Sequence, residues 1–224
     1  MKRSIASALF PLLLMMAETP ASAQGTPRAD APSRAGRRAP MPREAEIALA
    51  RSAAPASVSA EARVLVFTDT GFVVADSGSN GVTCMVNRSW PASLEPHCFD
   101  AEASQTILPI ELRRTMLHHR GLGVAEVNRE IADGLAAGRF RLPRRPAMSY
   151  MMSREQQLIG DDGSPAGRWR PHIMLYFPFL TNAEVGLSDT PDMRVGTVTD
   201  SGLPTASLML IMPAHVEVAP TGRR

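Results

Sequence analysis

The order of apolar patterns between residues 43 and 216 constrains the fold of this chain more than any other feature. Helical periodicity covers residues 43–54, 106–120 and 124–137. The segments with a β-type pattern are, in chain order, 63–67, 72–75, 82–86, 147–153, 171–180 and 206–213. The order helix, three strands, two helices, three strands predicts a single α+β domain. We expect a mostly antiparallel sheet of five to six strands with two to three helices packed on a face.

Turn residues indicate how the first strands connect. The segments 63–67 and 72–75 flank Asp69-Thr70-Gly71, and Asn80-Gly81 precedes the third β-type segment at 82–86. Asn-Gly is a strong hairpin signal, because both residues tolerate the positive φ angles of a tight β-turn. We therefore expect the second and third strands to form a hairpin.

The N-terminal segment has the pattern of an export signal. Lys2 and Arg3 precede an apolar stretch from residue 5 to residue 17, and Ala21-Ser22-Ala23 matches the small-x-small cleavage site. We expect a signal peptide over residues 1–23. At about 13 residues the apolar stretch is shorter than the roughly 20 that span a bilayer, and no later stretch comes nearer. The sequence predicts a periplasmic or secreted protein with no transmembrane segment.

Composition sets the remaining boundaries. Residues 24–42 are rich in Pro and Arg and poor in apolar side chains, so we predict a disordered linker there. Residues 43–216 form the predicted α+β domain, and residues 217–224 a flexible tail. The formal net charge of the whole chain is only +2, which is no electrostatic footprint for nucleic acid.

The chain has two cysteines, Cys84 and Cys98. In an exported protein such a pair favours a disulfide, which would close a loop of about 15 residues and stabilise the fold by roughly 3 kcal/mol. A reactive thiol and a metal-binding pair that includes the adjacent His97 are the alternatives.

Several common chemistries are excluded. Lys2 is the only lysine, so the mature chain has no lysine amine for a Schiff base, for a phosphate-binding Gly-Lys loop or for a Ser-x-x-Lys nucleophile. Neither Gly-x-Ser-x-Gly nor His-Glu-x-x-His occurs, so the usual serine-hydrolase and zinc-protease signatures are missing. We predict no catalytic residue and no cofactor.

Three segments carry a resemblance to a known group of proteins. "NGVTCMVNRSW" (80–90), "MSYMMS" (148–153) and "PHIMLYFP" (171–178) together resemble exported bacterial proteins in which a small two-cysteine domain follows a signal peptide. The resemblance covers roughly residues 44 to 213. That group has no assigned activity, so the resemblance implies the domain boundaries and nothing about chemistry.

The candidate site comes from strand periodicity in the second half of the chain. Ile173, Leu175, Phe177 and Phe179 share one face of the segment 171–180, which we expect to be core by composition. The opposite face carries His172, Met174 and Tyr176, a mixture of apolar surface and polar groups that suits the wall of a ligand pocket. Because His172 follows Pro171, we expect it at the start or edge of a strand and partly exposed.

The "MSYMMS" segment supplies the fourth candidate. Met148, Tyr150 and Met152 share one face, and Ser149, Met151 and Ser153 share the other. If this strand pairs with the segment 171–180, one of these two sets lies beside His172, Met174 and Tyr176. We take His172, Met174, Tyr176 and Tyr150 as candidate ligand-binding residues.

Two other interpretations of this face stay open. Methionine is an adaptable core residue, so the face can be ordinary packing beneath a helix. Thioethers and an imidazole are also the donors that Cu(I) prefers, but the sequence has no His-x-His motif and no Met-rich repeat, so we assign no metal ligand.

The sequence therefore predicts an exported soluble domain that binds a small molecule or associates with an envelope component. The alternative function is a secreted hydrolase that uses His172 with an unidentified Ser or Asp. A hydroxyl or carboxylate within about 3.2 Å of a histidine nitrogen, in a cleft, would favour that alternative.

Overall fold

A computed structural model describes residues 40–88, 93–159, 164–190, 192 and 194–216. The predicted signal peptide, the predicted linker up to residue 39 and the predicted tail at 217–224 lie outside these residues. No helix in the described part of the chain is long and apolar enough to cross a membrane.

The α+β class is confirmed, but the described residues contain more elements than the sequence predicts. The five α-helices are α1 (Arg43–Arg51), α2 (Ala56–Ser59), α3 (Ala103–Thr106), α4 (Leu108–His119) and α5 (Val124–Ala136). The eight strands are β1 (Arg63–Thr68), β2 (Gly71–Asp76), β3 (Thr83–Asn87), β4 (Glu95–Phe99), β5 (Ala147–Met151), β6 (His172–Tyr176), β7 (Thr197–Thr199) and β8 (Ser207–Ile211). The predicted count of five to six strands is wrong, and so is the predicted element order: α1 and α2 come first, four strands follow, and α3 to α5 separate these from the last four.

All eight strands belong to one sheet, in the order β2-β1-β3-β4-β5-β6-β8-β7. Every neighbouring pair is antiparallel except β1 and β3, which are parallel. The predicted hairpin at Asn80-Gly81 is therefore wrong, because β1 lies between β2 and β3. Asn80 still makes a turn: its side chain accepts from the N–H of Val82 and donates to the carbonyl of Val58. Gly81 takes the positive φ of +80°.

The predicted disulfide is present and fixes the pairing of β3 with β4. Cys84 lies directly opposite Cys98 in the two strands, and the Cys84–Cys98 disulfide joins them with their Cα atoms 4.0 Å apart. Both side chains are fully buried.

Helices cover the two faces of the sheet unequally. Helix α1 packs against β1, β3 and β4, and the core on that side includes Val64, Val86 and both cysteines. Helices α3 and α4 lie on the opposite face, where Leu65, Met85 and Phe99 pack with residues of α3 and α4. We call this second face the α4 face, and the candidate site lies on it.

Candidate functional site

The register between β5 and β6 decides which residues share the α4 face. Met151 lies opposite His172, and Ser149 lies opposite Met174. Tyr150 lies opposite Ile173, so it projects to the other side of the sheet and packs against the core beneath α1. The structure therefore separates Tyr150 from the other three candidates.

The face of β6 that was expected to be core is the more exposed of the two, and the opposite face is packed, as one of the open interpretations has it. The His172 side chain is 3% exposed and Tyr176 is 6% exposed. By contrast, Ile173 and Leu175 are half-buried, and Phe177 and Phe179 just beyond the strand are 40% and 56% exposed. Residues of α3 and α4 pack against Met174 and Tyr176, and the ring of Trp169 packs against His172. The expectation that His172 is partly exposed is also wrong.

A cleft of about 390 Å³ opens on the α4 face, between the sheet and the helices α4 and α5. Its walls combine apolar side chains with a small number of polar groups, which is the composition of small-molecule sites. The side chains that line it include Glu95, His97, Glu111, Met151, Met174 and Tyr176.

A chain of hydrogen bonds runs along the floor of the cleft. Nε2 of His97 lies 2.8 Å from Oγ of Ser149, and that Oγ lies 2.9 Å from the hydroxyl oxygen of Tyr176. The Tyr176 hydroxyl in turn donates to the thioether sulfur of Met174 over 3.8 Å. Four side chains from β4, β5 and β6 are thus joined in one network.

The direction of the protons follows from counting donors. If Nε2–H of His97 donates to Ser149 and the Ser149 hydroxyl donates to Tyr176, every donor in the chain has an acceptor. The reverse direction would place a proton on Nδ1 of His97, which is buried and has no hydrogen-bond partner. A buried donor without a partner costs about 1–3 kcal/mol, so we assign the first direction. Nδ1 of His97 then carries a free lone pair.

Burial keeps these groups uncharged. Desolvation, with a smaller contribution from the nearby His172, lowers the pKa of His97 to about 3. Burial raises the pKa of Tyr176, although the hydrogen bond from Ser149 partly offsets this. At neutral pH the network therefore consists of a neutral imidazole, two hydroxyls and a thioether; His97, Met174 and Tyr176 line the cleft, and Ser149 lies buried behind them.

The wall formed by α4 carries a carboxyl group. Burial raises the pKa of Glu111, while Arg114 and a hydrogen bond from Asn87 act in the opposite direction. The Asn87 amide donates to Glu111 over 2.9 Å, and its carbonyl accepts from the hydroxyl of Thr115. Arg114 lies 3.6 Å from Glu111 and also donates to the side chain of Asn128 on α5.

Of the four sequence-predicted candidates, Met174 and Tyr176 line the cleft. His172 lies beside it on the same face, with its Nδ1 2.7 Å from the carbonyl oxygen of Arg170 and its ring packed edge-on against Trp169. Tyr150 is on the far side of the sheet. Half of the predicted site is thus in the cleft.

The polar residues of the cleft, above all Glu95 and His97 on β4, were not predicted as site residues from the sequence. That strand was not predicted, because it contains Pro96 and polar residues in place of an apolar alternation. The disulfide is the signal that could have revealed it. A bond between two strands that places Cys84 opposite Cys98 also places Met85 opposite His97 and Asn87 opposite Glu95. His118 on α4 also lines the cleft.

Comparison with protein-family models, with curated proteins and with solved structures finds no match to this chain.

Proposed function

We propose that this protein is an exported domain that binds a small organic molecule in the cleft on the α4 face. The observation that carries the proposal is the buried network of His97, Ser149 and Tyr176 on the cleft floor. Buried polar networks are costly unless they are fully satisfied, and this one ends in an unpartnered nitrogen at His97.

The rest of the cleft suits the same role. Met151, Met174 and Ile110 supply apolar surface, while the hydroxyl of Tyr176 and the amide of Asn87 offer oriented polar groups. The network fixes the side-chain rotamers before a ligand arrives, which lowers the entropic cost of binding. The disulfide between Cys84 and Cys98 fits the oxidising environment outside the cytoplasm.

The alternative, a histidine-based hydrolase, has one observation in its favour. The distance of 2.8 Å between Nε2 of His97 and Oγ of Ser149 is that of a base and its nucleophile. Three features argue against a hydrolase. The Ser149 side chain is fully buried, Nδ1 of His97 has no orienting carboxylate, and a pKa of about 3 makes His97 a weak base at neutral pH.

A thermal-shift screen of metal-free protein against small organic molecules tests the proposal. A ligand that binds the folded state raises the melting temperature by mass action, and its dissociation constant then follows from calorimetry. Tyr176→Phe removes the hydroxyl that faces the cleft, and we expect it to weaken the binding of a hit by about two- to tenfold, since a lost hydrogen bond to a neutral group is worth about 0.5–1.5 kcal/mol.

Tyr150→Phe is the matched control. It removes the same hydroxyl from the neighbouring strand, but on the opposite face of the sheet. We expect this variant to bind the hit as the unmodified protein does. A hit whose affinity responds equally to both substitutions would not bind in the cleft, and a screen without any hit would contradict the proposal.

A further inference from the structure

Histidine and methionine side chains alternate in one row across the α4 face. Met151 lies opposite His172 in the register of β5 with β6. Cys98 lies opposite Tyr150 in antiparallel β4 and β5, so the continuation of that register brings His97 opposite Met151. A thioether on the central strand is thus flanked by an imidazole on each side.

Both imidazoles present a lone pair. A carbonyl oxygen can only accept, so the contact between Nδ1 of His172 and the carbonyl of Arg170 places the proton on Nδ1 and leaves Nε2 as the acceptor. At His97 the bond to Ser149 occupies Nε2, and the buried Nδ1 has no partner. Metal-binding histidines typically have this arrangement, in which one ring nitrogen donates to a carbonyl or hydroxyl and the other binds the metal.

We propose that His97, Met151 and His172 form a binding site for a soft monovalent metal ion of the Cu(I) class. Nδ1 of His97, Sδ of Met151 and Nε2 of His172 are the ligands. Two imidazoles and a thioether are donors that suit Cu(I), whereas a thioether contributes little to sites for Zn²⁺ or for hard cations.

The thioether of Met151 is an essential part of this donor set. In the described residues, no three His, Cys, Asp or Glu side chains lie close enough to hold a metal ion. The row becomes a site only when the thioether is counted as a ligand. None of the three ligands needs to release a proton when the ion binds.

The site shares His97 and Met151 with the cleft but does not depend on an organic ligand. The test of metal binding is therefore independent of the screen for organic molecules. If organic molecules bind and Cu(I) does not, only the metal proposal fails. If Cu(I) binds and no organic molecule does, the cleft proposal fails and the metal site remains.

Anaerobic competition for Cu(I), held reduced by ascorbate and buffered by bicinchoninate, is the direct test on the folded domain with its disulfide intact. We expect one equivalent of Cu(I) to bind, and Ag(I), which does not change oxidation state, to compete for it. Zn²⁺ should not displace Cu(I). Failure to take Cu(I) from the chelator, or displacement by Zn²⁺, would overturn the proposal.

Met151→Leu and Met148→Leu form a matched pair of variants, since both residues are on β5 but face opposite sides of the sheet. Leucine conserves the volume and removes only the sulfur, and near-UV circular dichroism confirms that each variant folds. We expect Met151→Leu to lower the affinity for Cu(I) at least tenfold and Met148→Leu to change it less than twofold. Equal affinities in the two variants would refute the assignment of Met151.

A spectroscopic readout does not rely on affinity. In protein labelled with ¹³C at the methionine methyl groups, Ag(I) should shift the resonance that is missing from Met151→Leu. The resonance that is missing from Met148→Leu should stay in place. Movement of the Met148 signal alone, or of neither signal, would contradict the site.

Discussion

Arg88 and Glu46 form an ion pair in the protein interior, with 3.1 Å between Nη1 of the guanidinium and Oε1 of the carboxylate. Both side chains are almost entirely buried, and the guanidinium also lies 4.6 Å from the ring centroid of Phe67. Oε1 of Glu46 accepts a second hydrogen bond, from the backbone N–H of Phe67. The pair thereby ties α1 to β1 and to the residue that follows β3.

We expect Glu46→Gln to reduce the free energy of unfolding by about 3 kcal/mol, because it removes the carboxylate from a buried ion pair with Arg88. The glutamine oxygen can still accept the hydrogen bond from the backbone N–H of Phe67. The change in the free energy of unfolding therefore reports the removal of the negative charge alone. Urea denaturation measures it. Arg51→Gln is the control: it breaks the partly exposed pair of Arg51 with Asp76, which also joins α1 to the sheet, and should cost less than about 1 kcal/mol. Similar losses in both variants would contradict the argument.

Removal of the disulfide tests the link between β3 and β4. The Cys84→Ala/Cys98→Ala double variant should have a free energy of unfolding about 3 kcal/mol lower than that of the unmodified protein. Without the bridge between residues 14 apart, the unfolded chain regains the conformational entropy that the closed loop had removed. Dithiothreitol should lower the urea midpoint of the unmodified protein towards that of the variant and leave the variant itself unchanged. A midpoint that does not respond to reductant would show that the bridge contributes nothing to stability.

Stability should depend on pH through His97. Its pKa falls from 6.5 to about 3 on folding, so the folded state binds fewer protons than the unfolded state between these values. The stabilisation is complete above pH 6.5 and is lost as the pH falls towards 3, at up to about 1.4 kcal/mol for each pH unit. The lowered pKa of His172 acts in the same direction.

His97→Gln removes one of these two groups. Urea midpoints of metal-free protein at pH 7, 6, 5 and 4 should fall less steeply in the variant. The slope of the free energy of unfolding against pH should correspond to about one proton fewer taken up on unfolding. Between pH 7 and 8 the two proteins should have the same slope, which serves as the internal control. Equal slopes between pH 6 and 4 would mean that His97 is not buried as a neutral imidazole.

Local sequence patterns predicted the fold class and the longer helices and strands. Helices α4 and α5 have 12 and 13 residues, enough for several apolar positions at helical spacing. Strand β7 has three residues and α3 has four, which is too short for any period to be recognised. Strand β4 is hidden for a different reason, because Pro96 and the polar side chains of Glu95 and His97 break the apolar alternation.

The site was predicted only in part, because strand periodicity shows which residues share a face and not which face is covered. Tyr176 was assigned to the correct side of β6, but the burial of that side depends on α3 and α4, which precede β6 by more than 50 residues. Tyr150 was grouped with Tyr176, and the register of β5 with β6 places it opposite Ile173 on the other face. Both outcomes depend on contacts between distant segments.

Glu111 gives the opposite dependence on pH from His97. Burial raises the pKa of its carboxyl group above the usual value of 4.5, so the folded state holds this proton more tightly than the unfolded state. The resulting stabilisation is complete below pH 4.5 and is lost as the pH rises through the folded-state pKa. As the pH rises above 4.5, this carboxyl group therefore reduces the stability of the fold relative to low pH.

Glu111→Gln should remove this penalty while it preserves an acceptor for the amide of Asn87. We expect the two proteins to differ progressively as the pH rises from 4.5, with the variant gaining up to about 1.4 kcal/mol of relative stability for each pH unit until the wild-type carboxyl is ionised in both states. Urea midpoints between pH 4 and 8 measure the difference. Glu130→Gln is the matched control, since Glu130 forms an exposed pair with Arg113 and should contribute less than about 1 kcal/mol at any pH. A Glu111→Gln variant that loses stability relative to the wild type as the pH rises would show that Arg114 and Asn87 outweigh the cost of burial.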